Sequence, residues 1–118
     1  MSTRATIHFQ QNGEDRAIIY RHSDGYPAGL GVDLETFLDD LAYIGDNRYD
    51  DAEYLAVKYV VWQTHLYSLS SAVIERPPLS VIGIGIVMQD PEDIKFRYIV
   101  DCHRPRPIIN VQAVGHIV

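Results

Sequence analysis

The chain has 118 residues, of which 47% are hydrophobic and 22% are charged. This composition is typical of a globular protein and excludes an intrinsically disordered chain, which combines low hydrophobicity with high net charge. The 16 acidic and 10 basic residues give a net charge of -6, which disfavours a nucleic-acid partner because phosphate backbones are also negative.

The length and the cysteine content indicate the number of domains and the cellular compartment. We predict one domain that spans residues 1–118. The single cysteine, Cys102, excludes an internal disulfide framework and favours a reducing compartment. The first residues, MSTRATIHFQ, have no apolar segment of the kind found in secretion signals, and the longest apolar stretch, VIGIGIVM, is too short to cross a bilayer. We therefore expect a soluble, cytoplasmic protein with no membrane partner.

The first elements are predicted to be the two strands of a β-hairpin. In RATIHFQ the apolar residues Ala5, Ile7 and Phe9 alternate with polar residues, which is the period of a half-buried strand. Asn12 and Gly13 form the favoured two-residue hairpin turn. The segment RAIIYRH follows as the second strand.

A first amphipathic helix is predicted after the hairpin. Its apolar stripe has helical spacing and consists of Leu34, Phe37, Leu38, Leu41 and Ile44. Asp33 and Glu35 lie in the first turn, where the helix dipole favours negative charge. Gly45 is suited to end the helix.

The second helix is predicted to begin near Asp50, because Asp50 and Glu53 have the spacing of a capping box. Its main apolar stripe consists of Leu55, Tyr59, Trp62, Leu66 and Leu69. Val57, Val60 and Val61 lie outside that stripe, so the helix is apolar over most of its circumference. Such a helix needs a second burying surface, and we therefore expect a homodimer or a higher homo-oligomer.

Three strands are predicted after the helix-breaking pair Pro77 and Pro78. In LSVIGIGIVM one face carries Ile82, Ile84, Ile86 and Met88. In KFRYIVDC the inward residues are Phe96, Tyr98, Val100 and Cys102. The last strand is IINVQAV. The element order ββααβββ predicts an α+β fold, with a mostly antiparallel sheet of about five strands and two helices on one face.

The segment YRHSDGYP, residues 20–27, is the strongest candidate for a functional site. The planar guanidinium of Arg21 suits a carboxylate or a phosphate, and Tyr26 lies close to it in sequence. His22 is a candidate general base near neutral pH, with Asp24 as its orienting partner. If the protein is an enzyme, these two residues are the candidate catalytic pair.

The same segment can also be interpreted as an ordered turn with no chemical role. Asp24 and Gly25 are typical turn residues, and Gly29 and Gly31 are expected to supply positive φ angles before the helix. In that interpretation the arginine holds backbone carbonyls and the tyrosines pack.

A second candidate site is DCHRPRP, residues 101–107. A metal site is disfavoured because no second cysteine exists, and a catalytic thiol is disfavoured because Cys102 falls on an inward face. No phosphate-binding loop and no paired-histidine zinc motif occurs in the sequence, so no cofactor and no metal are predicted. If the second and fourth strands run in the same direction, both segments provide one anion-binding site, with the residues Arg21, His22, Asp24, Tyr26, His103, Arg104 and Arg106.

The stretch IYRHSDGYPAGLGVDLETFL resembles a pattern in small uncharacterised proteins of bacteria, archaea and their phages. In those proteins Tyr-x-His-Trp-Asp-Gly-Tyr-Pro precedes a glycine-containing turn and a helix. The matching residues are Tyr20, His22, Asp24, Gly25, Tyr26 and Pro27. Ser23 replaces the usual tryptophan. The resemblance implies a prokaryotic or mobile-element origin and brings no activity with it.

Three functions are therefore considered. The first is a non-catalytic binding protein that recognises a small anionic or nucleotide-like ligand or a partner protein. The second is an interaction or inhibitor module of phage or mobile-element origin. The third is a small hydrolase that uses His22 and Asp24. Because no catalytic constellation is recognised, the two binding roles rank above catalysis.

Overall fold

The computed structural model describes residues 2–70 and 83–115, with the backbone alone at residues 66–70. The elements in chain order are β1 (Ala5–Gln11), β2 (Glu14–Arg21), a π-helical turn (Pro27–Gly31), α1 (Val32–Ile44), α2 (Ala52–Ser70), β3 (Ile84–Val87), β4 (Phe96–Asp101) and β5 (Ile108–Ala113). No helix in this described part of the chain is long and apolar enough to cross a membrane.

The five strands form one mixed sheet in the order β3-β2-β1-β4-β5. The pairs β1–β2, β2–β3 and β4–β5 are antiparallel, whereas the central pair β1–β4 is parallel. The predicted α+β class is therefore confirmed. Two details differ from the prediction, namely the parallel central pair and the π-helical turn before α1. The parallel pair arises because the chain crosses the sheet between β3 and β4 instead of turning back in a hairpin.

The β1–β2 hairpin forms as predicted. Asn12 and Gly13 have φ angles of 54° and 80°, and two positive φ angles are what a type I′ hairpin turn requires. Ala5, Ile7 and Phe9 are fully buried beneath the helices. The opposite face of β1 is also buried, which its polar sequence does not predict, because the segment between β3 and β4 lies across it.

Helix α1 confirms the predicted stripe except at its end. Leu34, Phe37, Leu38 and Leu41 are buried in the core. Gly45 ends the helix at φ 79°, and its amide donates to the carbonyl of Ala42. Ile44 is exposed, because the last turn of α1 faces a groove beside α2 and not the sheet.

Helix α2 begins two residues later than predicted, at Ala52. Asp51 caps it by accepting a 3.1 Å hydrogen bond from the amide of Tyr54, so the predicted cap at Asp50 is wrong by one position. Leu55 and Tyr59 of the main stripe are buried. The side chains of Leu66 and Leu69, and all of Ile82, lie outside the described residues.

The β-strands after α2 confirm most of the predicted faces. Tyr98, Val100 and Cys102 are buried. Of the residues predicted to share one face of the strand LSVIGIGIVM, Ile84 packs against the core, whereas Ile86 and Met88 are exposed, because β3 is an edge strand of the sheet.

Candidate functional site

Arg21, the proposed anion clamp, is a buried structural residue. Its side chain is 6% exposed and lies between the sheet and the helices. Its NH1 donates to Asp33 Oδ2 at 2.8 Å and to Gln63 Oε1 at 3.3 Å, and its Nε donates to the carbonyl of Ser23 at 2.9 Å. NH1 also donates to the hydroxyl of Tyr59. This guanidinium is therefore already neutralised by a carboxylate of α1.

The two candidate catalytic residues have different partners. His22 Nδ1 lies 3.0 Å from the hydroxyl of Tyr20, whereas Asp24 Oδ1 accepts a 3.3 Å hydrogen bond from Tyr26. The structure therefore does not pair His22 with Asp24, and no general base oriented by a carboxylate forms here.

The backbone of the loop has a structural role that differs from the predicted one. Asp24, and not a glycine, takes the left-handed conformation, with φ 56°, and its carbonyl accepts from the amide of Leu30. Gly29 and Gly31 do not have the predicted positive φ angles, so that prediction is wrong, and the φ angle of Gly25 is not positive either. Gly25 and Gly29 are needed because other atoms approach closely: a Cβ at Gly29 would lie 2.4 Å from the carbonyl oxygen of Asp24.

The segment 101–107 also consists of partnered residues. Arg104 Nε lies 3.3 Å from Asp50, and Arg106 NH2 lies 2.9 Å from Asp39 and 3.2 Å from Glu35. His103 Nδ1 lies 2.9 Å from the carbonyl oxygen of Arg104.

Cys102 in the same segment does not resemble a reactive thiol. Burial raises the pKa of Cys102 to about 12, and the charges of Asp101 and Asp51 act in the same direction. Reactive cysteines have lowered pKa values. Within the described residues, no group of three or more histidine, cysteine, aspartate or glutamate side chains is arranged to hold a metal ion.

The two candidate segments lie at opposite ends of the sheet. Strand β2 is antiparallel to β1 and β4 is parallel to it, so β2 and β4 run in opposite directions. Arg21 ends β2 opposite Ala5, whereas Asp101 ends β4 opposite Gln10. Gln10 follows Ala5 by five positions in β1, which is about 17 Å of extended chain. The condition for a shared site is not met, and the hypothesis that the two segments converge on one anion is wrong.

A polar network that the sequence did not reveal lies on the sheet face opposite the helices. Asp90, in the connection between β3 and β4, accepts hydrogen bonds from Thr6 Oγ1 at 2.6 Å and from Arg97 Nε at 2.5 Å. His8 Nε2 lies 2.7 Å from the same carboxylate, and its Nδ1 lies 3.0 Å from Asp15. Up to 84 residues separate these partners in the chain, so local sequence patterns carry no signal for the network.

The Asp90 network predicts a pH-dependent stability. Burial alone would raise the pKa of Asp90, but hydrogen bonds from Thr6, His8 and Arg97 outweigh it, and the pKa lies below the usual 3.8. A carboxyl group with a lowered pKa in the fold stabilises the protein above its unfolded-state pKa, and this stability is lost as the pH falls through the folded-state value. We expect Asp90→Asn to lower the free energy of unfolding by about 2 kcal/mol at pH 7. The difference from the wild type should shrink towards pH 2, as measured by urea unfolding.

The matched control for this prediction is Asp93→Asn in the same connection. Asp93 forms an exposed ion pair with Arg4, which contributes little in water, so this variant should change stability by less than about 0.5 kcal/mol. A difference between Asp90→Asn and the wild type that stays constant from pH 7 to pH 2 would contradict the assigned role of Asp90.

An apolar groove lies between α1 and α2, and we call it the α1–α2 groove. Its volume is about 340 Å³, and it is lined by Phe37, Asp40, Leu41, Tyr43, Ile44, Lys58, Val61, Trp62 and His65. Tyr43 is 92% exposed and Val61 is 61% exposed. The indole of Trp62 is fixed by donating a 2.7 Å hydrogen bond to Asp40 Oδ2 and by packing against the ring of Phe37 at 5.7 Å.

Two sequence signals could have located this groove. Val61 was predicted to lie outside the main stripe of its helix, and Ile44 stands at the end of the α1 stripe, directly before the terminating Gly45. Together they bring apolar side chains from two helices to one outer surface.

Comparison of the chain with protein-family models, with curated proteins and with solved structures found no match. The resemblance of residues 19–38 to the small bacterial, archaeal and phage proteins therefore stays a prediction.

Proposed function

We propose that this protein is a non-catalytic interaction module that binds a partner protein through the α1–α2 groove. One observation carries the proposal: among the described residues, large apolar side chains from two helices are exposed around an opening of about 340 Å³. A contiguous apolar opening on a water-soluble surface typically marks a binding site, because covering it releases about 25 cal/mol per Å² of apolar area.

The groove favours an amphipathic helix as the binding element of the partner. Two packed helices leave a linear channel, and an incoming helix presents apolar side chains along one face at intervals of three and four residues. Trp62 and Phe37 form a rigid aromatic wall for such side chains. Asp40 lines the groove, and the whole chain has a charge of -6. We therefore propose a partner helix whose apolar face is flanked by lysine or arginine.

The contacts of residues 20–27 and 101–107 favour a protein-binding role over binding of a small anion and over hydrolysis. Recognition of a small anion needs cations that are not already neutralised, yet Arg21, Arg104 and Arg106 each lie within ion-pair distance of a carboxylate. Hydrolysis by a histidine base needs an orienting carboxylate, yet His22 and Asp24 bind different tyrosines.

Val61→Asp tests the proposal, because it places a charge inside the groove without touching the buried core. We expect it to raise the dissociation constant for the partner at least tenfold, which corresponds to about 1.4 kcal/mol. The matched control is Val32→Asp at the first residue of α1, whereas the α1 residues that line the groove begin at Phe37. Val32 is a helical valine of similar exposure, 56%, and this variant should bind like the wild type.

The measurement has two stages. Wild-type, Val61→Asp and Val32→Asp proteins are used as parallel baits, and a captured protein is kept only if Val61→Asp alone loses it. That protein is then purified and titrated while the emission of Trp62 is followed, which is a site-specific signal because the chain has one tryptophan. If no captured protein distinguishes Val61→Asp from Val32→Asp, or if the purified partner binds both equally, the α1–α2 groove is not the binding site.

A further inference from the structure

In the described part of the chain, strand β5 is a sheet edge whose sequence lacks the usual protective residues. Edge strands normally avoid pairing with other chains by being short or by carrying charges, prolines or bulges. The sequence of β5, IINVQA, has no charge and no proline, and all six residues pair with β4 without a register shift. Ile108 and Val111 are exposed. The other edge, β3, is only four residues long.

The hydrogen bonds around β4 show which backbone groups of β5 point outward. The amide of Val114 donates to the carbonyl of Lys95, so this position faces β4. Because backbone groups alternate in direction along a strand, the N–H and C=O groups of Ile109, Val111 and Ala113 point away from β4. On the other side of β4, the amide of Cys102 donates to Gln10, which is consistent with the same alternation.

We propose that a second copy of this chain pairs with β5, in antiparallel orientation, around a two-fold axis at Val111. A two-fold axis perpendicular to the sheet keeps the helices of both copies on one side of the sheet. Side chains that face each other across the two strands must then point to the same side, so an odd-numbered residue lies opposite an odd-numbered residue. With the axis at Val111, this residue lies opposite its own copy and Ile109 lies opposite Ala113. All three outward-facing residues then donate and accept a backbone hydrogen bond, whereas an axis at Asn110 leaves Ala113 unpaired.

The neutral sequence of β5 allows a second copy to pair at this edge despite the charge of the chain. Two chains that each carry a charge of -6 repel one another, so a stable contact between them requires a neutral surface. Strand β5 is such a surface, and an antiparallel edge is self-complementary because its donors and acceptors alternate identically in both copies. The groove between α1 and α2 lies on the outer surface of the helices, so this inference does not rest on the proposed function.

Two substitutions at Val111 test the pairing. Val111→Lys places two like charges directly opposite each other, which destabilises a strand pair. Val111→Pro removes an N–H that points outward, so it removes the hydrogen bond to the second copy without removing one to β4. The control is Ile86→Lys, which adds the same charge to an exposed position on the other edge strand.

Light scattering after size exclusion at micromolar concentration should give the wild type and Ile86→Lys a mass near twice 13.4 kDa. Both Val111 variants should give the single-chain mass. In the wild type the amides of Ile109, Val111 and Ala113 should exchange with deuterium at least tenfold more slowly than in Val111→Lys, because they are bonded only in the pair. The proposal is overturned if the wild type has the single-chain mass or if both Val111 variants keep the doubled mass. It is also overturned if Ile86→Lys loses the doubled mass.

Discussion

Replacing Arg21 with alanine is expected to lower the free energy of unfolding by about 3 kcal/mol, because removal of one partner from a buried ion pair leaves the other uncompensated. Asp33 would lose its guanidinium, and Gln63 would lose a hydrogen bond inside the protein. Urea unfolding at neutral pH, followed by the emission of Trp62, measures the difference.

The neighbouring substitution His22→Ala is the matched control. His22 is exposed and lies one residue further along the chain, so its removal should change stability by no more than about 0.5 kcal/mol. Arg21→Lys should fall between the two, because lysine keeps the charge but loses the fork that reaches Ser23 and Asp33 together. If Arg21→Ala and His22→Ala have equal, small effects, Arg21 is not the structural centre of the loop.

Gly25→Val is expected to destabilise the fold by at least about 2 kcal/mol, because the added atoms overlap with fixed neighbours. A Cβ at this position would lie 2.6 Å from the Cβ of Ala5 and 2.9 Å from the carbonyl oxygen of Thr3. The amide of Gly25 also donates to that carbonyl, and its own carbonyl accepts from the hydroxyl of Tyr98 at 2.7 Å, so the loop cannot move away freely. The melting temperature and the urea midpoint should both fall.

Gly31→Ala separates steric overlap from a general effect of replacing glycine. Gly31 has a helical φ angle of -59°, and the nearest atom to an added Cβ is 3.6 Å away. Alanine at a helical position loses less conformational freedom on folding than glycine does, so this variant should be as stable as the wild type or more stable by about 0.5 kcal/mol. A wild-type stability for Gly25→Val would show that the packing around Gly25 is looser than these distances indicate.

At the YRHSDGYP loop, the turn could be predicted from the sequence but the partners of Arg21 could not. The residue types correctly indicated an ordered turn, and the turn forms at Asp24. They also allowed Arg21 to bind a ligand, and nothing in the local sequence excludes that role. The decision required the position of Asp33 in the first turn of α1 and of Gln63 in α2, which together surround the guanidinium. These residues lie 12 and 42 positions away in the chain.

Elements whose causes are local could be predicted from the sequence. The positive φ angles at Asn12 and Gly13 set the hairpin, the helical spacing of the α1 stripe and Gly45 set that helix, and two-residue alternation set the inward face of β4. Each of these signals lies within a few residues of the structure that it specifies.

The positions at which these elements meet depend on long-range packing. The connection between β3 and β4 crosses the sheet, and this crossing makes β4 parallel to β1, buries Thr6 and His8 beneath Asp90, and separates the candidate segments 20–27 and 101–107. The packing of α1 against α2 forms the α1–α2 groove, and the strand order places β5 at an edge of the sheet. Strand order depends on contacts between residues far apart in the chain, and their free energies are properties of the packed structure that no local spacing encodes.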